Sequence, residues 1–188
     1  MKYLVTGGAG FIGSNLTNKL IGEGHEVIII DDLSMGRIEN FDDFSKVSFI
    51  EGSITDTKLM KKILSENNFD YIFHLAAIAS VADSIERPIE THEVNYNAVL
   101  TILDLVRRHQ KDLKRFVFAS SAAVYGDDPE LPKKETSPIK PLTQYAVDKY
   151  AAERTTINFF HLYNVPTSAV RFFNVYGPNQ NPESPYSG

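Results

Sequence analysis

The sequence contains no cysteine among its 188 residues. A disulfide framework, a thiolate nucleophile and a cysteine-based zinc site are therefore excluded. The lack of thiols is compatible with a reducing compartment, where disulfides are rare, although cysteine being simply unused explains it equally well. We expect no metal site.

A cluster of basic residues and a long apolar run are also missing. Lys and Arg number 19 against 24 Asp and Glu, a net charge of −5, so the chain lacks the positive surface that attracts nucleic acids or anionic membranes. The apolar opening, residues 1–5, is interrupted at once by Thr6, Gly7 and Gly8, which is too early for a signal peptide or a membrane span. We therefore expect a cytoplasmic protein with no nucleic-acid or membrane partner.

What the chain does contain is a regular alternation of short apolar runs and longer amphipathic stretches, in a length that suits one large domain. Runs typical of buried strands lie at residues 2–6, 26–31, 47–51, 71–75, 115–119 and 167–171. Stretches typical of helices lie at residues 11–23, 56–65, 88–108 and 145–163. Uniformly apolar strands suit a parallel sheet covered on both faces, so the pattern predicts an α/β fold with a doubly wound parallel sheet. Residues 126–142 carry four prolines and are predicted to form a loop.

A glycine-rich turn follows the first predicted strand. Gly7, Gly10 and Gly13 lie where this strand meets the first helix, and without side chains there, backbone N–H groups and the helix dipole can meet a pyrophosphate. The alternative is merely a tight glycine turn. Asp31 favours the first interpretation, because it ends the next strand, where a carboxylate can accept hydrogen bonds from an adenosine ribose.

Two neighbouring carboxylates favour NAD over NADP. Asp31 and Asp32 would repel a 2′-phosphate, and only Arg37 is nearby to attract one. For Asp32 a solvated turn position is an equally good explanation.

Tyr145 and Lys149 are four residues apart and so share one face of a predicted helix. An ammonium beside a phenol favours the phenolate, the form that can take a proton from a sugar hydroxyl. Ser120 and Ser121 follow the predicted strand 115–119 at the edge of the sheet where ligands bind. A hydroxyl there could hydrogen-bond the oxygen that Tyr145 deprotonates, or both serines could cap a turn.

Six blocks, in order and spacing, resemble the extended short-chain dehydrogenase/reductases that modify nucleotide sugars. The blocks are residues 6–13, 74–77, Asn95, 120–126, Tyr145-x-x-x-Lys149 and 171–178. The resemblance covers essentially the whole chain and implies a Rossmann-type NAD-binding domain over residues 1–188. It also implies that residues 172–188 lead into a C-terminal substrate-binding lobe that this sequence lacks, so we expect residues 1–188 alone to hold NAD without turning over a substrate.

The same resemblance implies a set of site residues. Ser121, Tyr145 and Lys149 would be catalytic, with Tyr145 as the base and Lys149 also holding the nicotinamide ribose. The implied NAD contacts are Gly7, Gly10, Phe11, Ile12, Gly13, Asp31, Asp32, Ser34, Arg37, Ser53, Ile54, Leu75, Ala76, Ala77, Asn95, Tyr145 and Lys149. The implied substrate contacts are Ser80, Ser120, Ser121 and Asn174.

Ala122 and Ala123 indicate which reaction of this family to expect. In the nucleotide-sugar 4,6-dehydratases acidic residues stand at these positions, and the decarboxylating members keep a glutamate at the second, so both reactions are disfavoured. The resemblance is strongest to epimerases that act on UDP-glucose or UDP-N-acetylglucosamine, which implies 4-epimerisation of a UDP-hexose through a transient 4-keto sugar.

Two positions depart from the family pattern. Ser53 replaces an aspartate that reads the adenine amino group, which weakens this contact without excluding it. Ala79 stands where galactose-pathway epimerases often have a lysine, which moves the resemblance towards polysaccharide-synthesis epimerases.

Other functions stay open, namely another nucleotide-sugar oxidoreductase, a UDP-uronate epimerase, or a catalytically silent NAD-binding module. The resemblance also implies a homodimer formed by the helices at 88–108 and 145–163. Its contacts would come from apolar positions that are otherwise ordinary core: Val99, Leu100, Leu103, Ala146, Tyr150 and Ile157.

Overall fold

The computed structural model describes residues 1–180, which form a six-stranded parallel sheet. Its strands are β1 (Lys2–Thr6), β2 (Glu26–Asp31), β3 (Ser48–Glu51), β4 (Tyr71–His74), β5 (Arg115–Ser121) and β6 (Thr167–Phe172). They lie in the order β3-β2-β1-β4-β5-β6, and every neighbouring pair is parallel. The predicted doubly wound α/β fold is confirmed, and each predicted strand is found to within two residues at either end.

Helices connect the strands and cover the sheet. They are α1 (Phe11–Gly22), α2 (Thr57–Glu66), α3 (Val81–Glu86), α4 (Pro88–His92), α5 (Ala98–His109) and α6 (Gln144–Tyr163). A π-helical turn, Glu93–Asn97, joins α4 to α5, so the stretch predicted as one helix at 88–108 contains an irregular turn. The sequence did not predict α3, because this short helix buries a serine, Ser84, and presents no apolar stripe.

The sheet is covered on both faces, and this explains its apolar strands. Leu4 and Val5 are adjacent in β1 and both fully buried, yet they belong to different clusters on opposite faces. Leu4 packs in the cluster that contains Met60 of α2 and Phe159 of α6. Val5 packs in the cluster that contains Leu20 of α1. Because successive residues of a strand face opposite layers, consecutive positions must all be apolar.

The strand order creates a crevice at the carboxyl end of the sheet. The chain leaves β1 for β2 on one side and returns through β3 to β4 on the other, so the ends of β1 and β4 flank the topological switch point where ligands bind in such sheets. The ends of β1 and β4 are joined, since the Leu75 N–H after β4 donates to the carbonyl of Thr6 at the end of β1, 3.1 Å away.

The apolar positions expected at a dimer interface divide into two groups. Three of them belong to the core of the single chain: Val99, Leu103 and Ala146, with at most 1% of their surface exposed. For these three the expectation is wrong, because they are buried inside the single chain. Leu100 is 40% exposed, and Tyr150 and Ile157 are partly exposed.

Candidate functional site

The turn after β1 can be built only with glycine at two positions. Gly7 has a φ of +69°, and a Cβ there would lie 2.7 Å from the backbone nitrogen of Ala76. At Gly13 a Cβ would lie 2.0 Å from the carbonyl oxygen of Gly7. The turn is therefore pressed against α1 on one side and against the segment after β4 on the other, which leaves a concave, side-chain-free backbone at the switch point.

The N-terminus of α1 opens directly into this crevice. Gly10 is its N-cap, with an extended conformation and no side chain to satisfy the first N–H groups, and the first turn contains no acidic residue. Ser14 donates the first intrahelical hydrogen bond, to the carbonyl of Gly10 at 2.9 Å. The N–H groups of Phe11, Ile12 and Gly13 precede that bond and, with the helix dipole, suit an anion such as a pyrophosphate.

Asp31 fixes the shape of the glycine turn. Asp31 is 8% exposed, and its carboxylate accepts hydrogen bonds from the N–H groups of Ala9 and Leu33, each at 2.9 Å. Burial raises the pKa of Asp31, and the two main-chain donors act in the opposite direction by favouring the ionised form. Asp31 thus clamps the turn to the end of β2, and the predicted contact with an adenosine ribose would use its remaining acceptor capacity.

Asp32, Ser34 and Arg37 lie on the exposed rim beside Asp31. Oδ1 of Asp32 accepts hydrogen bonds from both the N–H and the hydroxyl of Ser34, at 3.0 and 2.6 Å. The main-chain N–H of Arg37 donates to the carbonyl of Ala9 at 3.0 Å, which ties this rim to the glycine turn. The carboxylate of Asp32 is thereby held in place while staying open to solvent.

The opposite wall of the crevice is organised around Thr6. Its hydroxyl oxygen accepts from the N–H groups of Leu75 and Ala76, each at 3.2 Å, and lies 2.9 Å from Nδ1 of His74. The Thr6 hydroxyl and Nδ1 form one hydrogen bond, whose donor is set by the tautomer of the imidazole. Burial, together with the nearby charge of Lys149, lowers the pKa of His74 to about 3, so its ring is neutral at physiological pH.

Asn95, on the π-helical turn, holds the segment that follows β4 in place. Its Oδ1 accepts from the Ile78 N–H and its Nδ2 donates to the Ile78 carbonyl, both at 2.9 Å. Both ends of the amide are thus engaged, and Asn95 is 1% exposed. Asn95 therefore shapes the wall next to Ala77, and its contact with NAD stays a prediction.

Ser53 and Ile54 follow β3 at the far side of the crevice. The Gly52 N–H donates to the carbonyl of Asp31 at 3.0 Å, which holds this segment beside β2. The hydroxyl of Ser53 lies 2.9 Å from that of Thr55, and Ile54 is buried in the core. Ser53 is partly exposed beside the turn where an adenine contact was predicted.

The predicted catalytic pair lies on one face of α6. Lys149 is 4% exposed, and its Nζ is 5.9 Å from the centre of the Tyr145 ring and 5.1 Å from that of Phe118. Nζ donates to the carbonyl of Ala119 in β5 at 2.9 Å. Burial lowers the pKa of Lys149 to about 8. The fold therefore brings an ammonium to a phenol in surroundings with little water, where its charge acts strongly on the ring.

The two serines at the end of β5 differ in environment. Ser121 is partly exposed and accepts from the Ala123 N–H at 3.1 Å, which caps the 3₁₀ helix Ala122–Tyr125. Ser120 is 3% exposed and donates its hydroxyl proton to Glu153 on α6 at 2.6 Å. Ser121 is thus partly accessible at the carboxyl end of β5, whereas the hydroxyl of Ser120 is directed into the protein, towards Glu153.

The other predicted substrate contacts lie at the rim. Ser80 is the N-cap of α3 and accepts from the Asp83 N–H at 3.1 Å. Asn174 is exposed just beyond β6. Ala122 and Ala123 begin the 3₁₀ helix next to Ser121 and are partly exposed, so the crevice contains no carboxylate at either position.

Two buried groups near the site were not assigned a role from the sequence. One is His74, and the other is the ion pair between Glu153 and Arg171, which joins α6 to β6. The spacing of Glu153, four residues after Lys149, was an available signal, since it continues the face that carries Tyr145. The partner of Glu153, however, depends on the pairing of β5 with β6, which the sequence did not specify.

An apolar hollow adjoins the crevice. It has a volume of about 250 Å³, opens on the α1 face of the sheet, and is lined by Ile12, Leu16, Phe73, Leu75, Val117, Ala119, Val170 and Phe172. Since every lining side chain is apolar, the hollow offers no side-chain partner for a pyrophosphate or a sugar hydroxyl. Among residues 1–180 there is also no group of three acidic or histidine side chains that could hold a metal, and no helix long and apolar enough to cross a bilayer.

A glycine turn at the switch point of a parallel sheet, with Ser121, Tyr145 and Lys149 at the neighbouring strand end and helix, defines a dinucleotide-binding domain of the short-chain dehydrogenase/reductase type. The profile of the family described as GDP-mannose 4,6 dehydratase matches residues 4–187. The chain belongs to this family of NAD-dependent nucleotide-sugar epimerases and dehydratases.

Similar proteins bear the names of epimerases. The UDP-glucose 4-epimerase of Mycolicibacterium smegmatis is 38% identical over 186 residues, which are 97% of this chain and 58% of that protein. The structure of the Thermus thermophilus UDP-glucose 4-epimerase in complex with NAD has a TM-score of 0.91 and 35% identity, covering 100% of this chain and 60% of the other.

A third similar protein is the UDP-N-acetylglucosamine 4-epimerase of Methanobrevibacter ruminantium, solved with UDP-N-acetylmuramic acid. It has a TM-score of 0.91 and 37% identity, covering 100% of this chain and 59% of the other. This chain thus spans about three fifths of the length of each of these three proteins.

Proposed function

We propose that the protein containing this chain catalyses NAD-dependent 4-epimerisation of a UDP-hexose through a transient 4-keto sugar. The observation that carries the proposal is the combination of Ser121, Tyr145 and Lys149 at the crevice with the absence of a carboxylate at Ala122 and Ala123. The names of the similar proteins support a UDP-sugar as the substrate.

NAD fits the crevice at its phosphate end. The glycine turn packs closely against its own surroundings, where a Cβ at Gly7 or Gly13 would clash with backbone atoms, and the N-terminus of α1 supplies the donors for a pyrophosphate. Asp31 and Asp32 would meet the adenosine ribose, and Lys149 would meet the nicotinamide ribose. When bound, NAD supplies the acceptor for the hydrogen on C4 of the hexose and later returns this hydrogen to the opposite face of the sugar.

The protein's own groups handle the proton and hold the sugar. Tyr145 takes the proton of the C4 hydroxyl as the ketone forms and gives it back when the alcohol is restored. Lys149 favours the phenolate of Tyr145, because its buried ammonium is close to the ring. Ser121 donates a hydrogen bond to the C4 oxygen and keeps it within reach of Tyr145.

Dehydration requires acidic and basic side chains, and Ala122 and Ala123 provide neither. Elimination of water from C5 and C6 needs a general acid and a base next to the catalytic serine, and alanine can be neither. With Tyr145 as the principal proton carrier, the 4-keto sugar can only be reduced again. Reduction on the opposite face is epimerisation.

Two further activities share the same catalytic residues, namely reduction of a nucleotide sugar and epimerisation of a UDP-uronate. A catalytically silent NAD-binding module is a third alternative, and the pairing of Tyr145 with Lys149 argues against it, because cofactor binding alone has no use for a phenol held beside a buried ammonium.

The test is to incubate a protein containing the whole catalytic unit with UDP-glucose or UDP-N-acetylglucosamine and a trace of NAD. Conversion of many equivalents of substrate to the galacto epimer is expected. Conversion only in a parallel reaction supplied with NADH, with one equivalent of NADH consumed per product, would instead identify a reductase, and no conversion of any UDP-sugar would favour the silent module. Residues 1–188 alone are expected to bind NAD without converting the sugar, because they cover only about three fifths of the similar enzymes.

A homodimer is part of the proposal. The faces of α5 and α6 that point away from the sheet carry exposed apolar side chains, among them Leu100, Val147 and Phe160, each at least 40% exposed. These residues replace the buried Val99, Leu103 and Ala146 as the expected contacts. A UDP-sugar and a second copy of the chain are thus the proposed partners, and a cytoplasmic location remains a prediction.

A further inference from the structure

Glu153 is a buried carboxylate that joins three elements of the site. It lies on α6 four residues after Lys149 and is 6% exposed. Its Oε2 accepts from the hydroxyl of Ser120 at 2.6 Å and from Nε of Arg171 at 2.9 Å. Its Oε1 accepts from Nη2 of the same arginine. One side chain therefore fixes α6 to the carboxyl ends of both β5 and β6.

Arg171 extends this connection to the segment that follows β5. Its Nη1 donates to the phenolic oxygen of Tyr125 at 2.8 Å and to the carbonyl of Glu135 at 3.0 Å. Tyr125 ends the 3₁₀ helix that Ser121 caps, and Glu135 lies in the irregular segment 126–142. The guanidinium thus holds this segment at two points.

This hydrogen-bond network holds the chain both before and after Ser121. Ser120 precedes it and is bound to Glu153, while Tyr125 follows it and is bound to Arg171. In the sheet, Ser120 pairs with Arg171 and Ser121 pairs with Phe172. A carboxylate that fixes Ser120 and Arg171 together therefore also fixes the backbone from which the Ser121 hydroxyl projects.

The charge of Glu153 is balanced within this network. Burial alone would raise the pKa of Glu153, but hydrogen bonds from Arg171 and Ser120 outweigh burial and lower it. The buried ammonium of Lys149 has its own partner, the carbonyl of Ala119. Glu153 is accordingly committed to Arg171 and Ser120, so its contribution to the site is geometric.

We propose that Glu153 is a positioning residue: through Ser120 and Arg171 it holds the end of β5 and the segment 122–142 so that the hydroxyl of Ser121 faces Tyr145. The inference rests on the proposed function in so far as Ser121 is catalytic. It also assigns Ser120 to the support of the site, in place of the substrate contact expected from the sequence.

Hydrogen–deuterium exchange on residues 1–188 tests the proposal without any activity. In Glu153→Gln the amide has the same shape but places a donor against Arg171, so peptides covering residues 120–142 should exchange at least tenfold faster, whereas those covering the glycine turn, residues 7–14, should be unchanged. Glu90→Gln is the matched control, since it removes an exposed Glu–Arg pair with Arg87. Unchanged exchange at 120–142, or equal acceleration throughout the chain, would overturn the proposal.

Kinetics of the longer protein give a second readout. Glu153→Gln should lower kcat at least tenfold while KM for the UDP-sugar stays within twofold, because the misplaced Ser121 is needed in the reaction more than in binding. Ser120→Ala removes only one of the contacts and should cause a smaller fall. An unchanged kcat, or a KM that rises in proportion, would contradict positioning. If the parent protein converts no UDP-sugar, the proposed function fails and the exchange experiment alone decides the role of Glu153.

Discussion

The ammonium of Lys149 lies 5.9 Å from the centre of the Tyr145 ring and is 4% exposed, so the charge that acts on the phenol is held inside the protein. Burial strengthens the effect of this charge on the phenol, but it also destabilises the folded chain, because the cation loses its hydration. The lowered pKa of Lys149, about 8, measures that cost. A residue placed for catalysis should therefore weaken the fold in the absence of ligands.

Lys149→Met should stabilise the unliganded chain at pH 7, by on the order of 1–3 kcal/mol, because it removes the desolvation of a cation while filling a similar volume. The gain should shrink as the pH rises from about 8 through the ordinary value of 10.5, where lysine becomes neutral in the unfolded chain as well. Urea unfolding at pH 7, 9 and 10.5 measures this.

The matched control is Lys133→Met. The ammonium of Lys133 is also largely buried but is paired with the carboxylate of Asp128, so its removal leaves a buried charge without its main partner and should destabilise the chain. Loss of stability in Lys149→Met comparable to that of Lys133→Met would contradict the interpretation of Lys149 as a cation whose desolvation outweighs its hydrogen bond to Ala119.

Tyr145→Phe in a protein containing the whole catalytic unit should reduce turnover by about 10²–10⁴-fold, since it removes the proton carrier. NAD affinity should change little, because only a hydroxyl is lost from the crevice. Steady-state kinetics and NAD titration by calorimetry measure the two effects. Near-normal turnover of this variant would show that another group carries the proton.

NAD should bind to this chain at least tenfold more tightly than NADP, because a 2′-phosphate would approach Asp31 and Asp32. Asp32→Ala should narrow the difference, since Asp32 is exposed and bonds only locally to Ser34 among the contacts described here. Asp31→Ala should weaken both cofactors, because it releases the Ala9 and Leu33 N–H groups. Equal dissociation constants of the parent for NAD and NADP, measured by calorimetry, would refute the cofactor assignment.

His74 should make the fold sensitive to acid. Its pKa in the folded chain is about 3, against an ordinary value of 6.5, so below pH 6.5 the unfolded chain takes up a proton that the folded chain refuses. Stability should fall by up to about 1.4 kcal/mol per pH unit between 6.5 and 3 from this group. In His74→Phe this contribution is absent, so the stability of the parent relative to the variant should fall as the pH falls. Parallel curves between pH 7 and 4.5 would contradict the assignment.

The fold could be predicted from the sequence largely because the sheet is buried on both faces. Leu4 and Val5 must both be apolar to meet two different layers, and this produces runs that mark each strand. The ends of the strands were harder to predict from the sequence. β5 continues through Ser120 and Ser121, because their polar side chains have hydrogen-bond partners in α6 and in the following turn. The helix α3 and the π-helical turn leave no periodic signature.

The site residues could be predicted where a local requirement of geometry or spacing determines which residue type must occupy a position. Gly7 and Gly13 are required by local geometry, and Tyr145 and Lys149 by their spacing on a helix. Other structural roles depend on contacts between residues far apart in sequence, which no local pattern encodes. These contacts are the hydrogen bonds of Asp31 with Ala9, of Asn95 with Ile78, and of Glu153 with Ser120.

The most direct test of the account follows an isotope through the reaction. UDP-glucose deuterated at C4 is incubated in ordinary water with trace NAD and a protein that contains this chain together with its substrate-binding part. If Tyr145 exchanges only the hydroxyl proton and the C4 hydrogen travels by way of the cofactor, UDP-galactose should form and retain the deuterium at C4. Loss of the label to solvent, or a 4-keto-6-deoxy sugar as the product, would contradict 4-epimerisation.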